Sequence, residues 1–139
     1  MSTYVREKVL RIPFDKLSMD NINNVLAQKY EDYEDDYPYY LERAFPDLFS
    51  YRTKHMFQIA PTSESFLDYV LESEWDADGE YGITRALTDR EKEKYRPKFA
   101  QIDPDINMDF VRLVEFCWYN CCEAPDYYDG TNDPFYNEV

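Results

Sequence analysis

Glycine is nearly missing from this chain, with 3 in 139 residues, and there is a single histidine. So little glycine leaves no Gly-rich loop to cradle phosphates and no G-x-S-x-G turn to present a nucleophile. The one imidazole, His55, falls between Lys54 and Met56 on an expected strand, with no Ser or Cys beside it in sequence. A catalytic base without its nucleophile or metal spacing is not a catalytic unit, so a non-enzymatic protein is expected. The 3 cysteines, Cys117, Cys121 and Cys122, are odd in number and follow no disulfide framework, which points to a reducing compartment. No run approaches the roughly 18 apolar residues of a membrane span, and no N-terminal apolar stretch resembles a signal peptide. A soluble, cytoplasmic protein is expected. Basic residues are also scarce: 15 Lys and Arg face 29 Asp and Glu, for a net charge of −14. That balance argues against direct binding of nucleic acid or an anionic membrane and favours cationic partners.

Acids and aromatic rings are abundant. Aromatics make up 18% of residues, including 14 Tyr and 9 Phe. Strong acidity with few aromatics would indicate disorder; this composition can build a core instead. Its length suits one domain over residues 1–139. Tyrosine joins a large rigid ring to a hydrogen-bonding tip and is enriched at binding hot spots. Acid with tyrosine therefore complements arginine-rich surfaces through ion pairs and cation–π contacts.

Along the chain, Thr3–Ile12 is rich in Val, Tyr and Ile and is closed by Pro13, which predicts a strand. Ser18 is placed to cap a helix running from Met19 to about Asp35, with Ile22, Val25, Leu26 and Tyr30 at helical spacing. Pro38 and Pro46 bracket a piece, Tyr39–Phe45, long enough for one or two helical turns. Lys54–Ala60 predicts a short strand. From Ser63 to about Trp75, Phe66, Leu67, Val70, Leu71 and Trp75 form an apolar stripe of helical period. Asp78-Gly79 marks a turn, and Tyr81–Leu87 a third strand. Thr88 and Glu91 make a capping-box pattern for a charged helix, Asp89–Arg96. The segment Arg85–Lys98 holds six of the fifteen bases; alternation with Asp89, Glu91 and Glu93 predicts a solvent-facing, self-paired surface, with a basic binding patch as the lesser alternative. Asn107 would cap a last helix from Met108 to about Cys122, apolar nearly all round and so expected at the centre of the domain. The tail 123–139 carries acids and aromatics and no base. The expected fold is α+β: a mainly helical single domain with a small antiparallel sheet and a central apolar C-terminal helix.

Metal and cofactor signals fail on inspection. Glu74-x-Asp76-x-Asp78-Gly79 imitates a calcium loop, but its twelfth position is Arg85, where a bidentate Glu is required. In Asp103-x-Asp105-x-Asn107, Met108 holds the glycine position. Cys117, Cys121 and Cys122 with His55 would make a Cys3His zinc set, yet their segment is apolar, and buried free Cys usually behaves as a small hydrophobe. No cofactor is expected.

Two acidic clusters remain. Glu31, Asp32, Glu34, Asp35 and Asp36 are interleaved with Tyr33 and Tyr37, and Tyr39 follows. On the expected helix they would stand at its negative end and oppose its dipole. Glu64, Asp68, Glu72, Asp76 and Glu80 recur every four residues, with no Lys or Arg between His55 and Thr84. On a helix, Glu64, Asp68 and Glu72 would stack about 6 Å apart along one ridge, near the spacing of phosphates along a nucleic-acid strand. Like charges at this spacing weaken a helix, so neither cluster is explained by local stability. This charge layout, with the acid–aromatic tail, resembles the small acidic DNA-mimic anti-defence proteins of phages and mobile elements, of the anti-CRISPR or anti-restriction type. The resemblance implies occupation of a nucleic-acid-binding groove on a bacterial defence nuclease, in the bacterial cytoplasm. The expected function is thus an acidic inhibitor whose partner is a basic nucleic-acid-binding protein, most of all a CRISPR effector. An immunity protein or antitoxin covering a basic nuclease toxin, and an acidic adaptor, are the alternatives. The contacts expected from charge and ring placement are the ten acids just named, with Tyr33, Tyr37 and Tyr39 as anchors.

Overall fold

The computed structural model describes residues 3–49, 66–76, 84–121 and 124–125. Strand β1, Thr3–Pro13, runs where its Val/Ile-rich sequence places it and pairs on both sides. Its neighbours are β2, Phe66–Trp75, and β4, Arg112–Cys121; β3, Thr84–Ala86, joins the far side of β4, giving the order β2-β1-β4-β3. All these pairings are antiparallel, and a two-residue β5, Ala124–Pro125, folds back onto the end of β4. Helices α1 (Met19–Lys29), α2 (Tyr37–Ala44) and α3 (Asp89–Ala100) complete an α+β fold.

Two segments of helical period are strands. In β2, both Phe66 and Leu67 are buried; in β4, so are both Leu113 and Val114. A strand buried on both faces loses the polar–apolar alternation that identifies it, and a short apolar run then matches a helical stripe equally well. Of the acidic helix expected over Ser63–Trp75, the described part, Phe66–Trp75, is β2; of the C-terminal helix expected over Met108–Cys122, Arg112–Cys121 is β4. Asn107 does cap, its side chain accepting from the Asp109 N–H at 3.0 Å, but only for the 3-10 turn Met108–Phe110. In the extended chain Cys117 and Cys121 lie about 13 Å apart, too far for a shared metal.

The core lies between one sheet face and the helices. Leu10, Ile12, Leu67 and Leu113 from the sheet meet Phe14, Ile22, Leu26, Leu41, Phe99 and Ile102. Each such side chain contributes about 1.5–3 kcal/mol by leaving water. Helix α1 starts at Ser18, whose hydroxyl accepts from the Asn21 N–H. The buried Asp103 holds the same turn from the other end of the chain, accepting from the Ser18 N–H at 2.9 Å and from Asn21 Nδ2 at 2.7 Å. Helix α3 has the full capping box, Glu91 N–H to Thr88 Oγ1 and Thr88 N–H to Glu91 Oε1.

The opposite face carries charge in its interior. Arg11 and Asp68 stand opposite each other on β1 and β2, without solvent exposure. Arg11 Nε donates to Oδ1 at 2.7 Å and Nη2 to Oδ2 at 2.8 Å, and the guanidinium lies 3.7 Å from the centroid of the Phe66 ring. Between Lys8 and Val9 the β1–β2 register shifts, leaving Leu71 as an extra residue in β2. Such a bulge reverses which side each later side chain takes. Asp68 therefore shares a face with Arg11, and Glu72 shares the other face with Lys8.

Removing one half of a buried ion pair strands the other charge, at a cost of about 3–5 kcal/mol. Asp68→Asn is expected to lower unfolding free energy by about that amount in urea titrations, and Arg11→Met with Asp68→Leu to restore most of it. A second expectation concerns α3. Bonds from Arg85 and then from Thr88 pull the Glu91 carboxyl down to about 2. The stabilisation is complete above pH ~4.5, where an unfolded-state Glu is ionised, and is lost as pH falls through ~2. Melting curves of Glu91→Gln should show a deficit of about 1 kcal/mol near neutrality that vanishes toward pH ~2.

Candidate functional site

Helix α1 ends earlier than its apolar spacing suggests. Tyr30 is already extended, at φ −137° and ψ 125°, and residues 31–36 form turns between α1 and α2. Continuing the helix would stack Glu31 against Glu34 and Asp35, and Asp32 against Asp35 and Asp36, at repulsive three- and four-residue spacings. Asp35 and Asp36 thus leave the negative end of α1 and lie before the positive end of α2, with Asp36 at its N-cap position. There the helix dipole favours them. Glu31 and Asp32 still follow directly on the α1 C-cap, Tyr30, so the expected dipole conflict is reduced to these two.

The turn is held by backbone bonds, Asp35 N–H to the Asp32 carbonyl at 3.1 Å and Tyr40 N–H to the Asp36 carbonyl at 3.2 Å. All five carboxylates, of Glu31, Asp32, Glu34, Asp35 and Asp36, are exposed. Among the described residues none of them is in an ion pair, and Asp36 does not use its side chain to cap α2. Among the described residues their one side-chain hydrogen bond is a long one, Tyr33 Oη to Glu34 Oε1 at 3.4 Å.

Tyrosines back this turn. Tyr30 and Tyr40 have ring centroids 4.9 Å apart, Tyr39 and Tyr40 5.1 Å, and Tyr33 and Tyr37 6.5 Å. Tyr30, Tyr33 and Tyr37 pack against the core, whereas Tyr39 is 49% exposed. Arg43 Nη1 donates to Tyr39 Oη at 2.7 Å, and that bond raises the Arg43 pKa further. Desolvation, then the Glu34 charge, pushes Tyr33 up; burial, then Tyr33, pushes Tyr37 up to about 12. The Tyr37 hydroxyl is buried with no hydrogen-bond partner among the described residues.

No family model matches this chain, and neither a curated protein nor a solved structure matches it.

The second acidic cluster is not a ridge. Asp68 is buried in its pair with Arg11. Glu72 is exposed on the face of the sheet that also carries Arg6, Lys8, Glu74 and Glu115, which border a shallow polar groove with it. Asp76 ends β2 in the left-handed region at φ 60°, a conformation Asp tolerates better than most residues. Glu64 and Glu80 lie outside the described residues, as do the expected strand Lys54–Ala60, the Asp78-Gly79 turn and the tail beyond Pro125. What the structure brings together is the turn 31–36 with Tyr33, Tyr37 and Tyr39. Among the described residues, no grouping of three His, Cys, Asp or Glu is placed to hold a metal ion, and no helix is long and apolar enough to cross a membrane.

The mixed-charge segment is sorted by its partners. Glu91 binds Arg85 through both oxygens, at 2.8 and 2.9 Å; Lys92 reaches Asp109 at 2.7 Å; Arg96 donates to the carbonyls of Ile106 and Pro104. That much is self-pairing, as expected. Arg90, Lys94 and Lys98 take part in none of it. Sequence alternation alone could not reveal which bases are left over.

Burying a hydroxyl without a partner costs free energy that a phenyl ring does not incur. Tyr37→Phe is therefore expected to leave stability unchanged or slightly raised in urea melts. Because the raised Tyr37 pKa favours the neutral phenol in the fold, the associated stability is complete below pH ~10 and lost as pH rises through ~12. Absorbance titration near 295 nm should show a late-ionising tyrosine in the native protein that disappears in Tyr37→Phe.

Proposed function

We propose that this protein is a non-enzymatic inhibitor that presents the Glu31–Asp36 turn to the basic groove of a nucleic-acid-binding protein, in place of phosphates. The observation that carries the reading is the turn itself: five exposed carboxylates that, among the described residues, are in no ion pair, mounted on packed tyrosines. Holding them unpaired in a folded turn makes them ready for Arg and Lys at little further ordering cost. The net charge of −14 adds a long-range attraction to any cationic surface. Tyr39, the most exposed ring of the group, is placed to stack on a partner guanidinium. Within this class the partner proposed is an effector nuclease of bacterial defence, of the CRISPR type, met in the bacterial cytoplasm.

The turn acts through charge and not through helical spacing, so neutralising it should slow association without altering the fold. The variant E31Q/D32N/E34Q/D35N/D36N is expected to lower the association rate by tenfold or more, to about the uncharged-encounter regime, with a weaker salt dependence. The check is capture on the immobilised protein from lysate spiked with purified CRISPR and restriction nucleases, followed by elution with duplex DNA. Release of a nuclease by DNA, and its weaker capture by the variant, support groove competition. Capture that DNA does not reverse, or equal binding by the variant, overturns it in favour of an immunity or adaptor role.

A further inference from the structure

The leftover bases of α3 form a line. Arg90, Lys94 and Lys98 follow at four-residue steps, all exposed, and none pairs with a carboxylate among the described residues. Glu93, exposed on the same helix, is bonded to none of them. Four residues of helix advance about 6 Å, close to the separation of consecutive phosphates along a nucleic-acid strand. Repulsion at these steps weakens the helix slightly, so the line does not serve helix stability. Rings border it: Lys94 Nζ lies 5.2 Å from the Tyr95 centroid and Lys98 Nζ 5.5 Å from that of Tyr69, and the two rings are 6.2 Å apart. Arg90, Glu91, Lys94 and Tyr95 line a shallow concavity at its start, where Glu91 is already neutralised by Arg85.

We infer that the Arg90–Lys94–Lys98 line of α3 is a contact surface for the phosphate backbone of single-stranded nucleic acid, flanked by the half-buried rings of Tyr69 and Tyr95. Evenly spaced cations beside aromatic rings are the combination that tracks a strand without reading its sequence. Net acidity opposes nucleic-acid binding when averaged over the molecule, but at physiological salt fields fade within about 8 Å. Charge within reach of α3 then decides. The acidic turn of a second copy is a poorer occupant: each copy carries −14, and such a head-to-tail contact need not close. The consequence for function rests on the proposal for the turn. A domain filling part of a basic groove meets the strand that fills the remainder, and a cationic edge removes the repulsion there.

The test is independent of the turn and of any captured partner. Amide spectra of the full chain are recorded at about 0.15 M salt, where screening confines the field to about 8 Å, with a short oligothymidylate, and separately with a hexaglutamate peptide. Expected are shifts confined to α3 and the neighbourhood of Tyr69, an affinity falling with salt at a logarithmic slope of about −2 for three phosphates, and a tenfold or greater loss in R90Q/K94Q/K98Q. Glutamine is a good helix former, so the variant should fold; K94Q alone serves if it does not, with a smaller loss expected. Absent shifts, shifts elsewhere, retained affinity in the variants, or equal binding of hexaglutamate each overturn the inference.

Discussion

The bidentate contact between Arg11 and Asp68 is the constraint to which the rest of the sheet answers. Both groups are cut off from water, so each needs the other in place. A slip of one residue between β1 and β2 would carry Asp68 to the opposite face and leave Arg11 facing Leu67 or Tyr69. Apolar neighbours on both faces would tolerate that slip; an ion pair does not. With the pair set, the bulge at Leu71 turns Glu72 toward the helix-bearing side, and Tyr69 lies under α3 near Lys98. Thus a contact with no surface role positions one ring of the cationic line and takes one acid off the surface.

Charge in this protein is sorted in space more than its sequence suggests. A chain with 29 acids and 15 bases might spread them evenly. Instead, Arg11–Asp68, Arg85–Glu91 and Lys92–Asp109 absorb part of each sign internally. Among the described charges left outside ion pairs, two groups are contiguous: an anionic turn between α1 and α2, and a cationic line on α3. Both lie against tyrosines, whose rings pack on the core while their edges reach solvent. A rigid aromatic base under mobile charges reduces the ordering cost of any ionic partner.

Caps and the first strand are set by local rules and are legible in the sequence. Ser18, Thr88 with Glu91, and Asn107 all cap, because a cap depends on residues three or fewer positions away. β1 was legible because Pro13 and its β-branched residues mark it. The failures share one cause. The start of β2, Phe66–Asp68, and β4 at Leu113–Val114 are buried on both faces, so their apolar residues lose strict alternation, and no local rule separates strand from helix there. The four-residue acidic repeat was equally deceptive: its meaning depended on a helix that is absent, and the bulge sends Asp68 and Glu72 to opposite faces. Asp103 seemed part of a failed calcium loop, yet it anchors α1, a bond spanning 85 positions that no spacing could signal.

Composition and short-range pattern by themselves determined an α+β domain, rich in acid and tyrosine, with its helix starts and first strand in place. They also determined the Glu31–Asp36 cluster as a candidate surface, since five acids in six positions repel one another in any local conformation. Only the tertiary structure decided which charges are left for a partner. Pairing depends on distance in space: Asp68 found Arg11 across 57 positions, Lys92 found Asp109 across 17, and Arg90, Lys94 and Lys98 were left as a line while Glu91 beside them paired with Arg85.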